Sequence, residues 1–229
     1  MIEDPPILTL KRNISRPTET QINFFKGVQT GFIVDAMNGR GALDGRIKPL
    51  SEDQAIFSGM AITCHTGPAD NLAVFGAMKL AEAGDVIVAS TDEFHQTAVV
   101  GDLVLGMMKN KKIKAFVTDG FVRDIQGIRQ VGLPCFSMGV TPNSPARNGP
   151  GSAGSPISIG NVSVSAGDII VGDIDGVVVV PNDMIQETIK TIKEVISLEE
   201  ELDAKIKSGL EQPEFITEIF KSDLVKEIT

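Results

Sequence analysis

The sequence has no tryptophan and no tyrosine, and its 229 residues include two cysteines and two histidines. Without those rings, most stacking platforms for single-stranded nucleic acid are missing. Two histidines, His65 and His95, argue against a histidine-rich metal site and against a Ser-His-Asp triad, and neither GxSxG nor HExxH is present. His95 falls in a polar loop and reads as a loop residue near which a pocket could lie. The cysteines, Cys64 and Cys135, sit in apolar, strand-like surroundings. They read as reduced core thiols, which points to a cytoplasmic protein. No GxGxxG or Walker loop follows a strand, so nucleotide or adenosylmethionine binding has no support. No apolar run approaches the ~20 residues of a membrane span. The opening MIEDPPILTL lacks a basic segment followed by an apolar one, so no signal peptide is expected. Basic residues are also in deficit: 21 Lys and Arg against 30 Asp and Glu give a net charge of −9. Such a chain repels a phosphate backbone. Its densest basic cluster, 109–114, reads as a solvated helix-to-strand turn. Neither nucleic acid nor a membrane is therefore an expected partner.

The chain is 42% hydrophobic with a mean hydropathy of +0.10, which suits one globular domain spanning 1–229. Residues 1–17 carry three prolines and read as a docked arm. Short helices follow near 20–28 and 30–37, with Phe24, Val28, Phe32 and Ala36 at four-residue spacing as a core stripe. Strands are expected over 46–50 and 61–65, a helix over 72–83 and a strand over 86–90. The segment 101–134 then reads as helix (102–110), buried strand (113–118), turn and helix (124–131), stopped by Gly132 before Pro134 opens the next strand. This alternation implies right-handed parallel crossovers. Residues 141–156, rich in proline, serine and glycine, read as a long loop. Short strands at 157–159, 162–164, 168–171 and 176–180 are separated by turn residues and read as antiparallel hairpins. Among those turns, Asp173-Ile174-Asp175-Gly176 superficially resembles a calcium loop but lacks the further ligands. A charged helix over 182–207, capped by Gly209, precedes a tail, 210–229.

Asp102, then twenty residues, then Arg123 and Asp124 form the candidate site. Each aspartate sits where the chain turns into a helix. Ligands of α/β sheets collect at such places, beyond the carboxyl ends of strands. One reading makes both aspartates N-caps and Arg123 a surface charge. The other starts from Gly101, which allows close approach to a helix start whose free amides favour an anion. Adjacent Arg and Asp at a turn can both face one cavity, whereas in a regular strand they would diverge. A carboxylate that can bind a metal beside a guanidinium that can clamp an oxyanion is equipment for stabilising an enolate.

With these motifs in place, the chain resembles the family of the regulator of ribonuclease activity A and the related 4-hydroxy-4-methyl-2-oxoglutarate and 4-carboxy-4-hydroxy-2-oxoadipate aldolases. The carriers are DAMNGRGALDGRIKPL (35–50), Asp70-Asn71, AGDVIV (83–88), GDLVLG (101–106), VTDGFVRDIQGI (117–128), GLPCFSMGVTP (132–142) and AGDIIVGDIDGVVVVP (166–181). The resemblance implies a three-layer β/β/α swivelling-type domain, with a parallel helix-strand-helix core and antiparallel hairpins. It also implies a homotrimer, or a hexamer made of two trimers, with sites at subunit interfaces. In the aldolase branch, Asp124 is implied to bind Mg²⁺ or Mn²⁺, and Arg123 to contact the enolate oxygen. The backbone of Gly101, Asp102, Leu103 and Val104 is implied to receive the substrate carboxylate, with Asp102 holding a metal-bound water. A glutamate from the neighbouring subunit's C-terminal helix is implied to assist. Counting back from Gly209 puts it at Glu199, with Glu200 and Glu201 leaving the register open. The implied reaction cleaves a 4-hydroxy-2-oxo acid to pyruvate and a second 2-oxo acid, with oxaloacetate decarboxylation through the same enolate. No lysine is implicated, so no Schiff base is expected. The family's other branch implies a non-enzymatic, protein-binding regulator of ribonuclease E type.

Overall fold

The computed structural model describes residues 6–228. Residues 1–5 of the expected arm and Thr229 of the expected tail lie outside them. The arm contributes β1 (Leu8–Leu10) and is followed by α1 (Glu19–Phe24) and α2 (Thr30–Ala36). Thr18 and Gln21 close a capping box on α1: Gln21 N donates to Thr18 Oγ1 at 3.3 Å and Thr18 N donates to Gln21 Oε1 at 2.7 Å. Next come β2 (Lys48–Pro49), β3 (Phe57–His65), α3 (Leu72–Leu80) and β4 (Val86–Ser90). The central segment forms α4 (Asp102–Asn110), β5 (Ala115–Thr118), β6 (Phe121–Val122) and α5 (Ile125–Val131). Gly132, at φ 70°, ends α5 in the left-handed region that suits glycine. Then follow β7 (Cys135–Ser137), β8 (Gly139–Val140), β9 (Gly151–Ala153), β10 (Ile157–Ile159) and β11 (Val162–Val164). The chain closes with β12 (Ile169–Asp173), β13 (Gly176–Val180), α6 (Ile185–Lys207) and α7 (Glu214–Phe220).

β3, β4, β5 and β7 pair in that order, all parallel. The crossover helices α3, α4 and α5 cover one face, burying Ile62, Ile87 and Phe116 against Val74, Leu105 and Ile128. The opposite face buries Val86, Val88 and Val117 against Ile157, Ile159 and Val179 of the hairpin layer. The expected β/β/α layering is thus present. Outside it, α2 and α6 pack Ile33, Ile185 and Ile192 on the outer face of the β12–β13 hairpin. No helix among the described residues is long and apolar enough to cross a membrane. Cys64 and Cys135 are buried free thiols. Burial pushes the Cys135 thiol up to about 12 and the Cys64 thiol higher still.

Several boundaries differ from the sequence expectation, each for a tertiary reason. β3 starts at Phe57 rather than 61, because Phe57, Ser58, Gly59 and Met60 pair antiparallel with β12 before Ala61 turns to β4. The strand expected over 46–50 shrinks to a bridge with β7 at Lys48 and Pro49, where proline has no N–H to extend the ladder. α3 ends at Leu80, short of 83. The stripe Phe24, Val28, Phe32, Ala36 is not one continuous helix face, because a turn at 25–27 separates α1 from α2. Ala36 is buried with Phe25, Ile33 and Met37, and Phe24 and Val28 pack partly buried against them. The 141–156 segment is not all loop: β9 pairs antiparallel with β3 and parallel with β1. The expected tail contains α7. Asp173-Ile174-Asp175-Gly176 is a hairpin turn, and the Asp173 carboxylate accepts from Thr30 N at 2.8 Å at the start of α2.

Candidate active site

The site forms where β4 and β5 end. Asp119, just past β5, is buried, and its carboxylate accepts from Thr91 N at 2.7 Å, Thr91 Oγ1 at 3.1 Å and Ser90 Oγ at 3.2 Å. Burial raises its pKa, opposed by these hydrogen bonds. It thereby ties the ends of β4 and β5 together. The loops beyond are sewn by backbone bonds, Val99 N to Phe121 O at 2.7 Å and Arg123 N to Val100 O at 3.0 Å. This brings Gly101 and Asp102 beside Arg123 and Asp124. His95 stacks on Phe121 at 4.6 Å and its Nε2 lies 3.1 Å from Asp119 O, so it is a packed loop residue.

Neither aspartate caps a helix from the cap position. Gly101 is the N-cap of α4, and Asp102 is its first residue, with Oδ1 accepting from Leu103 N at 2.7 Å. Asp124 holds the N-cap place of α5, yet its side chain accepts no capping bond. Its backbone is left-handed, φ 61° and ψ 44°. Aspartate tolerates that region better than most residues, at a cost of about 1 kcal/mol. Asp124 Oδ2 lies 3.2 Å from Arg123 Nε, and Arg123 Nη1 donates to Ser144 Oγ.

Two glycines make this junction possible. A Cβ on Gly101 would lie 2.5 Å from Asp124 Oδ2 and 3.1 Å from Arg123 Cγ. A Cβ on Gly127, in α5, would overlap Asp102, including its Cβ at 2.7 Å. Asp124 therefore lies against the start of α4, and Asp102 against the first turn of α5. The cleft between them, about 60 Å³, is lined by Asn71, Gly101, Asp102, Arg123, Asp124 and Arg147, with Leu103, Val104 and Pro145 completing the wall. Asp124 also borders a larger open hollow of about 510 Å³ that includes Gln126, Val140 and Thr141.

The sequence alone does not single out Ser144 or Arg147. They reach the cleft because Asp70 fixes their loop. Asp70 Oδ1 accepts from Leu72 N at 2.8 Å, and Oδ2 accepts from Asn148 N and, at 3.0 Å, from Gly149 N. Asn71 N donates to Ala146 O at 3.1 Å. The Asp70-Asn71 pair was the available signal, but its partners lie some 75 residues away. Glu199 lines neither hollow. It is exposed, as are Glu200 and Glu201, on a helix that packs on α2 and the β12–β13 hairpin, across the sheet from α4 and α5.

The family model described as RraA-like, aldolase/RraA, matches residues 30–179. The chain belongs to the RraA-like family. It is 38% identical over 179 residues to a protein of Halalkalibacterium halodurans provisionally named 4-hydroxy-4-methyl-2-oxoglutarate aldolase, covering 77% of this chain and 85% of that one. Among solved structures, an uncharacterized protein of Pseudomonas syringae superposes with a TM-score of 0.75 at 25% identity, over 86% of this chain and 96% of that one. Streptomyces coelicolor RraAS2, described as an unusual member of the RNase ES inhibitor RraA family, gives 0.74 at 25% identity, over 83% and 100%. The RraA-like fold seen here is thus shared by relatives with aldolase and inhibitor names.

Proposed function

We propose that the chain is a divalent-metal-dependent aldolase. It would cleave a 4-hydroxy-2-oxo dicarboxylic or tricarboxylic acid to pyruvate and a second 2-oxo acid, and decarboxylate oxaloacetate as a side reaction. The observation that carries this reading is the meeting of Asp102, Arg123 and Asp124 at one helix junction, held there by Gly101 and Gly127. The donor set fits a hard cation. Both candidate ligands are carboxylates, and since no group of three His, Cys, Asp or Glu side chains able to hold a metal occurs among the described residues, water would have to fill the remaining positions. Mg²⁺ and Mn²⁺ suit oxygen donors, and Mg²⁺ commonly keeps several waters beside one or two protein carboxylates. Asp124 would hold the ion directly and Asp102 through water, with Glu199 of a neighbouring copy assisting in a homotrimer or hexamer. When bound, the ion supplies Lewis acidity that stabilises the enolate oxygen.

The chain's own groups account for the remainder. Backbone N–H groups at the start of α4, at Gly101, Asp102, Leu103 and Val104, would receive the 1-carboxylate of the substrate, the Leu103 N–H exchanging its bond to Asp102 Oδ1 for one to the ligand. Asp102 would orient a water that takes up the proton of the 4-hydroxyl and returns it to C3 of the enolate, which completes pyruvate. As the C3–C4 bond breaks, C4 becomes the carbonyl of the departing 2-oxo acid, and the electron pair passes into the enolate of pyruvate. Arg123, oriented by Asp124 and Ser144, donates to the oxygen on which that charge develops. No lysine lines the cleft, so the scheme contains no Schiff base. Similarity to the RNase ES inhibitor family favours a second reading, a protein-binding regulator of ribonuclease E type. The complete Asp102, Arg123, Asp124 set supports the enzyme. Oxaloacetate decarboxylation should vanish with chelator and return with Mg²⁺ or Mn²⁺. It should be lost in Asp124→Ala with the fold intact, and Arg123→Lys should lower kcat about 10²- to 10³-fold, the usual cost of an oxyanion donor. Unchanged activity in both variants would contradict the assignment.

A further inference from the structure

The cleft holds two guanidinium groups, and the mechanism uses one. Arg123 is engaged by Asp124 and Ser144. Arg147, which lines the same cleft, has no carboxylate within 4.0 Å among the described residues. Its side chain is exposed, on a backbone held at both neighbouring residues. Its guanidinium lies over the Phe75 ring, 5.7 Å from the centroid. The residues on either side of it are fixed, Ala146 by bonds to Ala69 and Asn71 and Asn148 by Asp70. The cleft is also lined by Asn71, which is 1% exposed. Its Nδ2 donates to Val99 O at 2.9 Å, and its buried Oδ1 has no partner. A chain of net charge −9 thus presents an exposed cation with no carboxylate partner among the described residues, and a buried unsatisfied acceptor, beside the proposed reacting centre.

We infer that Arg147 binds the second carboxylate of the substrate and makes the site selective for 2-oxo dicarboxylates. The inference rests on the aldolase reading for where the 2-oxo acid end lies, but its test needs no turnover. A carboxylate matches the guanidinium fork, and a charged partner strengthens both hydrogen bonds. The unpartnered Asn71 Oδ1 suits a ligand that also carries a hydroxyl between its two carboxylates. A ligand with a methyl in place of the distal carboxylate would leave the guanidinium without an anion once the cleft is filled.

The probes are 2-oxoglutarate and 2-oxopentanoate, five-carbon 2-oxo acids that differ in that one group. Their affinities are measured calorimetrically on the full chain with Mg²⁺. Wild type should bind 2-oxoglutarate more tightly, and Arg147→Met should lower the ratio of affinities about 10- to 100-fold. Arg147→Lys, which keeps the charge without the fork, should retain part of the preference. Equal affinities in wild type, or a ratio that Arg147→Met does not move, would overturn the inference. If the ratio falls but wild type turns over no 4-hydroxy-2-oxo acid, Arg147 keeps its role and the aldolase reading fails. If turnover is present and the ratio stays fixed, the reverse holds.

Discussion

Gly127 is the residue whose role is least expected from its place. It lies inside α5, where replacing glycine by alanine ordinarily stabilises a helix by about 1 kcal/mol. Here a Cβ would fall 2.7 Å from Asp102 Cβ and on the carboxylate beyond it. Gly127→Ala should therefore lower oxaloacetate decarboxylation by at least about 10-fold, since displacing a catalytic group by ~1 Å can cost 10²-fold. Circular dichroism should report an intact fold. Full activity in the variant would show that the position of Asp102 against α5 is not needed. Asp102, Arg123 and Asp124 are legible in the sequence because their chemistry is intrinsic to their side chains. Gly127, Ser144 and Arg147 are not, because each matters through a contact with a residue 20 or more positions away.

Among the elements, α6 is only half committed to its own chain. Ile185, Thr188 and Ile192 are buried, whereas Leu198, Leu202 and Ile206 are exposed at four-residue spacing, beside Glu199, Glu200 and Glu201. That spacing puts the three apolar side chains on one face of the helix. In the proposed cyclic trimer each interface is heterologous, so this face can seat on the next copy and deliver Glu199 to its cleft. Two inactive variants, Asp124→Ala and Glu199→Ala, mixed equally and allowed to exchange subunits, should then recover about a quarter of wild-type activity, because random mixing meets each of two conditions half the time. No recovery would mean that Glu199 serves its own chain. If Glu199→Ala is itself active, the same exchange with Glu200→Ala and Glu201→Ala decides which glutamate is shared. Element boundaries are legible where local pattern and turn residues agree, as at β4 and α4, found at the expected 86–90 and 102–110. β9 has no such pattern: Gly151-Ser152-Ala153 is a strand because β1 and β3 flank it.

Across the whole molecule, the sheet presents the ends of β4 and β5 to one cleft, which Pro145 and Arg147 of the 141–150 loop also line. Motif resemblance anticipates the layering of α3, α4 and α5 on a parallel sheet backed by hairpins. It does not anticipate how Asp70, Asn71 and Asp119 lock the loops, since those bonds depend on the assembled fold. This junction is proposed as a site for enolate formation, and a proton count tests that without assuming a physiological substrate. Pyruvate in D₂O should exchange its methyl protons, followed by proton NMR, when the protein and Mg²⁺ are both present. Exchange should stop on chelation and be lost in Asp124→Ala. Exchange that continues unchanged with chelator and in that variant, or none at all in wild type with Mg²⁺, would contradict the account.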